Sequence, residues 1–189
     1  HIYEVAAAFG VTEHLKGLER EHTFHRDTYV AALSMAARFG HIRAVEYLLQ
    51  LSAHFEVEWT LNRIELEAWQ GAYPERHPVV AAAMNNQPEM VRLLLLKGGA
   101  VSSHPAWRFA LSAALKFRHK QVLEVLIDVL SNEKFQDIHP NRLLYAALSD
   151  VVQYDYDELV EMILQKVFDN DAVMSDQERA KSFNTFGAL

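Results

Sequence analysis

Small and large hydrophobic residues return at fixed spacings four times along this chain. The blocks read VAAAFGVTEHLKGL (5–18), MAARFGHIRAVEYLL (35–49), AAAMNNQPEMVRLLL (81–95) and AALKFRHKQVLEVLI (113–127). Each block is anchored by an alanine: Ala6, Ala36, Ala82 and Ala114. Nine positions later come Leu15, Val45, Val91 and Leu123, and twelve positions later come Leu18, Leu48, Leu94 and Leu126. Three positions before the anchor lie Tyr3, Leu33, Val79 and Leu111. Such repetition predicts a stacked solenoid, an architecture that usually binds through an extended surface.

Each block is predicted to form two short helices separated by a tight turn. The first helix is centred on the alanines, whose small side chains let the first helices of adjacent repeats approach closely. The second helix carries apolar residues at the i, i+3, i+4 spacing. The turns fall at Gly10, Gly40, Asn86 and Arg118. Glycine and asparagine tolerate the left-handed conformation that ends a helix, whereas Arg118 does not fit this rule and predicts a different turn.

A fifth block at 141–167 departs from the pattern. Its alanine, Ala147, lies 33 residues after Ala114, but Val160 follows Ala147 by thirteen positions instead of nine. We therefore expect the connection to be longer by about one helical turn and to contain Tyr154 to Asp157.

Two of the blocks resemble ankyrin repeats, which recur about every 33 residues with a Thr-Pro-Leu-His-x-Ala opening and two helices. The strongest matches are LSMAARFGHIRAVEYLL (33–49) and HPVVAAAMNNQPEMVRLLLLKGGAV (77–101). His77 and Pro78 stand where the family has Thr-Pro. The full tetrad is absent, so the hairpin fingers between repeats are expected to be short. HEAT and tetratricopeptide arrays are the competing interpretation; the period and the GH-x-x-x-V-x-x-LL arrangement favour ankyrin.

The resemblance implies an all-α fold: a curved solenoid of about five degenerate ankyrin-like helix-turn-helix repeats with a helical insert and a C-terminal cap. The anchors are separated by 30, 46 and 32 residues, so the long middle interval locates the insert. We expect a single domain over 1–189, a fragment of a longer protein because it begins at His1. Its parts are repeats near 1–20, 29–51, 77–101, 107–130 and 141–168, an insert at 52–76 and a cap at 169–189.

The composition narrows the functional classes. The chain has no cysteine, which excludes disulfides, thiolate catalysis and Cys-based metal sites and fits a cytoplasmic location. Its net charge is −7, with most of the excess acid in 131–189 and a locally basic stretch at 90–130, so nucleic acid is a poor candidate partner. No apolar run approaches the roughly 18–20 residues needed to span a bilayer, so membrane insertion is not expected.

A search for catalytic chemistry finds little. There is no Gly-rich phosphate loop, no HExxH and no G-x-S-x-G motif. His22 and His25 form the densest histidine pair, but they would supply only half of the ligands of a zinc site. A structural role is therefore favoured for the histidines. His41 and His119 share a repeat position at which the family commonly has a structural histidine that bonds across the turn. The acidic residues Asp150, Asp155, Asp157, Glu158 and Glu161 are interpreted as a solvated face. We expect no enzyme activity, no cofactor and no metal.

The candidate binding site is the row of helix ends. Phe9, Phe39 and Phe117 occupy one position just before the turn, and Asn85 takes it in the remaining block. In ankyrin-like repeats this position borders the concave groove. Beside it lie Arg38, Met84, Lys116 and Arg118. Two interpretations stay open, an exposed apolar ladder for a partner or phenylalanines packed between neighbouring repeats. Trp59, Trp69 and Tyr73 are expected to fasten the insert to the stack.

The function expected from these observations is protein–protein interaction through the concave groove, by a monomer or a part of a multidomain chain. Irregular repeats of this type are similar to those in large bacterial secreted effectors, which would place the protein in the host cytosol. Two alternatives stay open. The chain could be an accessory or substrate-positioning domain of a larger enzyme, such as a bacterial effector, or a structural spacer or self-association module.

Overall fold

A computed structural model of the chain describes residues 2–21, 26–54, 77–97, 104–131 and 140–173. Within these ranges the chain is all-helical and contains no strand. The helices are α1 (Ile2–Ala8), α2 (Thr12–Glu21), α3 (Arg26–Arg38), α4 (Ile42–His54), α5 (Pro78–Met84), α6 (Pro88–Lys97), α7 (His104–Phe117), α8 (Lys120–Asp128), a 3₁₀ turn (Val129–Ser131), α9 (Pro140–Gln153) and α10 (Asp157–Val173). None of these described helices is both long and apolar enough to cross a membrane.

The chain divides into two compact units, His1–Val129 and Leu130–Leu189. In the first unit the helices form four pairs, one for each predicted block. The first helices of consecutive pairs pack on one another: α1 on α3, α3 on α5 and α5 on α7. The second helices α2 and α4 are also in contact, as are α6 and α8. The single domain of repeats stays a prediction.

The anchor alanines explain this packing of first helices. All four are buried, and Ala36, Ala82 and Ala114 are fully so. The large apolar residues three positions before and nine positions after each anchor are buried as well, which confirms the predicted core; only Leu18 among the twelfth positions is partly exposed. Small side chains at the contact allow two helix backbones to approach closely, while the flanking large residues fill the space around them.

All four turns have the same backbone conformation. The residue after the first helix is left-handed, with φ of 67° at Gly10, 74° at Gly40, 53° at Asn86 and 55° at Arg118. The following N–H donates to the carbonyl of the anchor alanine: Val11 to Ala6, His41 to Ala36, Gln87 to Ala82 and His119 to Ala114, at 2.9, 2.9, 3.1 and 2.9 Å. This is the Schellman arrangement, which satisfies carbonyls at a helix C-terminus. The different turn predicted at Arg118 is therefore wrong, because the hydrogen bonds impose the same conformation on arginine.

The second helix of three blocks is tied to the first by an aromatic side chain. In each case a hydroxyl or indole N–H donates to the carbonyl of the residue twelve positions after the anchor. The bonds are Tyr3 Oη to Leu18, Tyr29 Oη to Leu48 and Trp107 Nε1 to Leu126, at 2.8, 3.1 and 2.9 Å. In these three blocks a carbonyl of the second helix thereby accepts a hydrogen bond from the first helix of its own pair.

The second unit contains a fifth helix pair, α9 and α10, whose connecting turn also has a left-handed residue. Asp155 is left-handed, with φ of 54°, and its N–H donates to the Val152 carbonyl. The longer connection predicted after Ala147 is wrong. The extra residues extend the helix, because α9 continues to Gln153, and the turn keeps its length. Ala147 is nevertheless buried, as is Val151, which holds the anchor's position relative to this turn.

Several predictions lie outside the described residues. The insert at 52–76 is described only as far as the end of α4, and the cap at 169–189 only as far as the end of α10. Trp59, Trp69 and Tyr73 fall in the first of these gaps, and His22 and His25 fall between α2 and α3.

Candidate partner-binding surface

All eight residues predicted to bind a partner lie at the turns between first and second helices. We number these the first to fourth turns, by their left-handed residues Gly10, Gly40, Asn86 and Arg118. Phe9, Phe39, Asn85 and Phe117 each immediately precede the left-handed residue, so they are equivalent. Arg38, Met84 and Lys116 precede them by one position, and Arg118 is itself left-handed. The fold thus brings the predicted residues to corresponding sites on successive pairs.

The three phenylalanines are exposed. Phe9, Phe39 and Phe117 are 75%, 50% and 46% accessible to solvent. The sequence left open the interpretation that these phenylalanines pack between neighbouring repeats. Their exposure shows that this interpretation is wrong. Large apolar side chains exposed at equivalent positions are typical of interaction surfaces rather than of a core.

In the second and fourth turns the phenylalanine lies between a cation and a histidine. The Arg38 guanidinium carbon is 5.8 Å from the centre of the Phe39 ring. The centre of the His41 ring is 6.4 Å from the same point, and the two ring planes are inclined by 34°. In the fourth turn, Lys116 Nζ is 5.7 Å from the Phe117 ring centre, and the His119 ring stacks at 5.8 Å. We call these two clusters, Arg38–Phe39–His41 and Lys116–Phe117–His119, the basic aromatic turns.

Each histidine is held by the preceding helix pair. His41 Nε2 lies 2.7 Å from the Ala8 carbonyl oxygen, and His119 Nδ1 lies 2.9 Å from the Ala83 carbonyl oxygen. The predicted structural role is thus confirmed, but the bond does not cross the histidine's own turn; it reaches the end of the previous first helix. Each histidine beside an exposed ring is therefore anchored to the preceding helix pair.

The first and third turns lack this arrangement. Phe9 follows Ala8 and precedes Gly10 and Val11, so no cation adjoins it in sequence. The third turn offers Met84 and Asn85, and Asn85 Nδ2 donates to the Ala81 carbonyl at 2.8 Å. The surface is therefore not one continuous apolar ladder. The amide of the third turn interrupts the aromatic residues of the first, second and fourth turns.

The basic residues of the second helices are used differently. Arg92 of α6 pairs with Asp128 of α8 at 3.4 Å, and Lys97 pairs with Glu46 of α4 at 3.2 Å. Both pairs are exposed and join neighbouring helix pairs, so each contributes at most about 1 kcal/mol to stability. At the second and fourth turns, Arg38 and Lys116 contact aromatic rings, a contact that Lys16 of α2 also makes with Tyr47. Arg38 and Lys116 also stand in the last turns of α3 and α7, where a cation favours the helix dipole, but this does not account for the exposed rings.

Sequence reasoning missed four residues of this surface. His41 and His119 were assigned only a structural role, and the exposed Val11 and Ile42 were not singled out. The signal was present, because Val11, His41 and His119 share the position five residues after the anchor alanine. The approach of each histidine to the phenylalanine two positions earlier depends on the left-handed turn, which reverses the chain between them.

The described residues contain no group of three or more His, Asp or Glu side chains that would hold a metal ion. In the acidic segment, Asp155, Asp157, Glu158 and Glu161 are exposed, as expected for a solvated face, whereas Asp150 is half-buried. No protein-family model matches this chain, and neither the curated proteins nor the solved structures include a match. The ankyrin resemblance therefore stays a prediction that depends on the residues quoted above.

Proposed function

We propose that this chain is an ankyrin-like solenoid of about five repeats that binds a partner protein, without catalysis, through the groove bordered by its turns. The side-by-side packing of α1, α3, α5 and α7 supports the stacked arrangement. The identical turns support it too, since the same bonds to Ala6, Ala36, Ala82 and Ala114 recur in all four blocks.

One observation carries the binding function: Phe39 and Phe117 are exposed at equivalent turns, each between a cation and an anchored histidine. An exposed aromatic ring is unfavourable in water and favourable in a protein interface, where aromatic and arginine side chains contribute most of the binding energy. Because the rings are held in place before binding, little conformational entropy is lost on association. Their arrangement therefore suits recognition of another protein.

Affinity capture tests this function. The wild-type chain and a Phe39→Ala/Phe117→Ala variant are immobilised in equal amounts, and the captured proteins are quantified by mass spectrometry. We expect specific proteins that the wild type retains to be lost by the variant, because truncating central aromatic anchors weakens typical interfaces by about 2 kcal/mol or more each.

The matched control is Val152→Ala/Leu164→Ala, which removes two exposed apolar side chains from α9 and α10. This control should retain the same proteins as the wild type, and circular dichroism should show that both variants remain helical. Equal capture by the wild type and the phenylalanine variant would contradict the proposed function.

A further inference from the structure

Arg38 and Lys116, at the second and fourth turns, lack the acidic partners that three cations of the second helices have. Lys16, Arg92 and Lys97 each pair with a carboxylate of the chain: Glu13, Asp128 and Glu46. Arg38 and Lys116, together with Arg43 at the start of α4, are exposed, and no carboxylate of the described residues pairs with them. Uncompensated positive charge is therefore concentrated at the second and fourth turns, beside the exposed rings.

This positive charge is local. Most of the net charge of −7 comes from 131–189, and 1–130 is nearly balanced, so a long polyanion such as nucleic acid gains little further attraction beyond the turns. A short acidic segment reaches the cations without covering the rest of the surface. Screening at physiological salt confines the attraction to about 8 Å, which favours this local contact further. The charge distribution thus favours an acidic peptide over nucleic acid.

The stacking of helices sets the distance between the two basic aromatic turns. Since α3 packs on α5 and α5 on α7, the turns are two helix spacings apart. At about 8–10 Å between packed axes, two spacings amount to about 16–20 Å. An extended chain advances about 3.3 Å for each residue, so about six residues cover this distance. An even separation also puts both contacting side chains on one side of an extended segment.

The third turn lies between the two and is uncharged at its tip, where Asn85 and Asn86 are exposed. Amide side chains both donate and accept hydrogen bonds, as the backbone of an extended peptide requires. The three successive turns therefore present a cation and a ring, then amides, then a cation and a ring.

Building on the proposed function, we propose that the partner contributes an extended acidic segment with two carboxylates about six residues apart. One carboxylate pairs with Arg38 and the other with Lys116, and neighbouring apolar side chains of the segment cover Phe39 and Phe117. The backbone between them passes over the amides of the third turn.

Fluorescence anisotropy with defined peptides tests this proposal on the full chain. The probes are labelled 12-residue peptides of serine and valine that carry two glutamates two, four, six or eight positions apart, and matched peptides with glutamine. We expect the six-position glutamate peptide to bind most tightly, with affinity that falls as salt is raised. An Arg38→Gln/Lys116→Gln variant should bind it roughly five- to tenfold more weakly, because two charge pairs are lost.

The control variant Arg92→Gln/Lys97→Gln removes the same charge from α6 and should bind the peptide as the wild type does. A charge-reversed variant, Arg38→Glu/Lys116→Glu, should prefer the corresponding peptide with two lysines. Equal binding of glutamate and glutamine peptides, or binding of none, overturns the proposal. So does tighter binding of a labelled 12-nucleotide single strand. If capture of proteins still depends on Phe39 and Phe117 in those cases, the proposed function stands and only the acidic segment is rejected.

Discussion

His41 and His119 occupy the same position in their blocks, yet they bind the preceding helix pair differently. His41 uses Nε2 and contacts the carbonyl of Ala8, two residues before Gly10. His119 uses Nδ1 and contacts the carbonyl of Ala83, three residues before Asn86. Because a carbonyl oxygen only accepts, the ring proton of these two bonds lies on different nitrogens.

The left-handed residue of the preceding turn explains this difference. A Cβ atom added to Gly10 would lie 2.6 Å from Nδ1 and 2.7 Å from Cγ of His41. The His41 ring therefore occupies space that a side chain fills at Asn86. The left-handed residue after the first helix of one pair thus determines how the histidine of the next pair binds. The contacts between successive pairs are therefore not equivalent.

The largest effect is expected from Gly10→Ala. The new Cβ combines the strain of a left-handed alanine with displacement of His41, so the free energy of unfolding should fall by about 2–3 kcal/mol. At Gly40 the same Cβ meets the end of the flexible Gln87 side chain, 2.5 Å away, and the loss should be smaller. Urea denaturation followed by circular dichroism measures both. A larger loss at Gly40 would contradict the explanation.

A double-mutant cycle with His41 distinguishes the backbone strain at Gly10 from the clash between the new Cβ and the histidine ring. His41→Ala should lower the free energy of unfolding by about 1 kcal/mol, since it removes one hydrogen bond between pairs. Gly10→Ala introduced into His41→Ala should then be about 1 kcal/mol less destabilising than in the wild type, because the clash is absent. His119→Ala with Asn86→Ala serves as the comparison cycle and should be closer to additive. Additive losses at Gly10 and His41 would show that the ring does not control this site.

At the fourth turn, a substitution is expected to increase the free energy of unfolding rather than lower it. Arg118→Gly should raise the free energy of unfolding by about 0.5–1 kcal/mol, because glycine relieves the left-handed strain but loses more entropy on folding. Arg118→Ala keeps the Cβ and should not stabilise the chain, which makes it the control. Asn86→Gly should change stability less, since asparagine tolerates this conformation. Thermal melting compares the three, and stabilisation by Arg118→Ala would refute the backbone explanation.

The smallest effect on stability is expected at the exposed rings. Phe39→Ala and Phe117→Ala each remove one cation–aromatic contact. Beyond the loss of that contact, each should change the free energy of unfolding by no more than about 0.5 kcal/mol. Urea denaturation of the single variants measures this. A loss of several kcal/mol would indicate that these rings stabilise the fold rather than serve a partner.

The buried positions could be predicted from the sequence, and the turns only in part. Anchor alanines and the leucines or valines around them recur with the period of the helix, so their burial follows from spacing alone. The conformation of Arg118 does not, because it is imposed by hydrogen bonds to the ends of a buried helix rather than by the preference of arginine. In the fifth block, apolar residues continue at helical spacing past Ala147, so the longer helix was mistaken for a longer connection.

The sequence placed the candidate residues at the turns but did not give their surroundings. Phe39 and Phe117 were expected just before the turns, and the sequence left their exposure open. Exposure depends on which side chains adjoin the ring, and His41 is held in its place by the carbonyl of Ala8, 33 residues earlier. A pattern read within one block cannot reveal a contact made between blocks.

The contacts between successive helix pairs also have a kinetic consequence. The bonds of His41 and His119 close loops of 33 and 36 residues, and the first helices pack on their next neighbours in the chain. Closing a short loop costs little conformational entropy. A folding nucleus can therefore form at the contact between any two successive helix pairs and extend pair by pair. Unfolding can likewise begin locally, at one such contact, without opening the others. A partner segment attached to both the second and the fourth turns would clamp the third pair between them and slow its local opening.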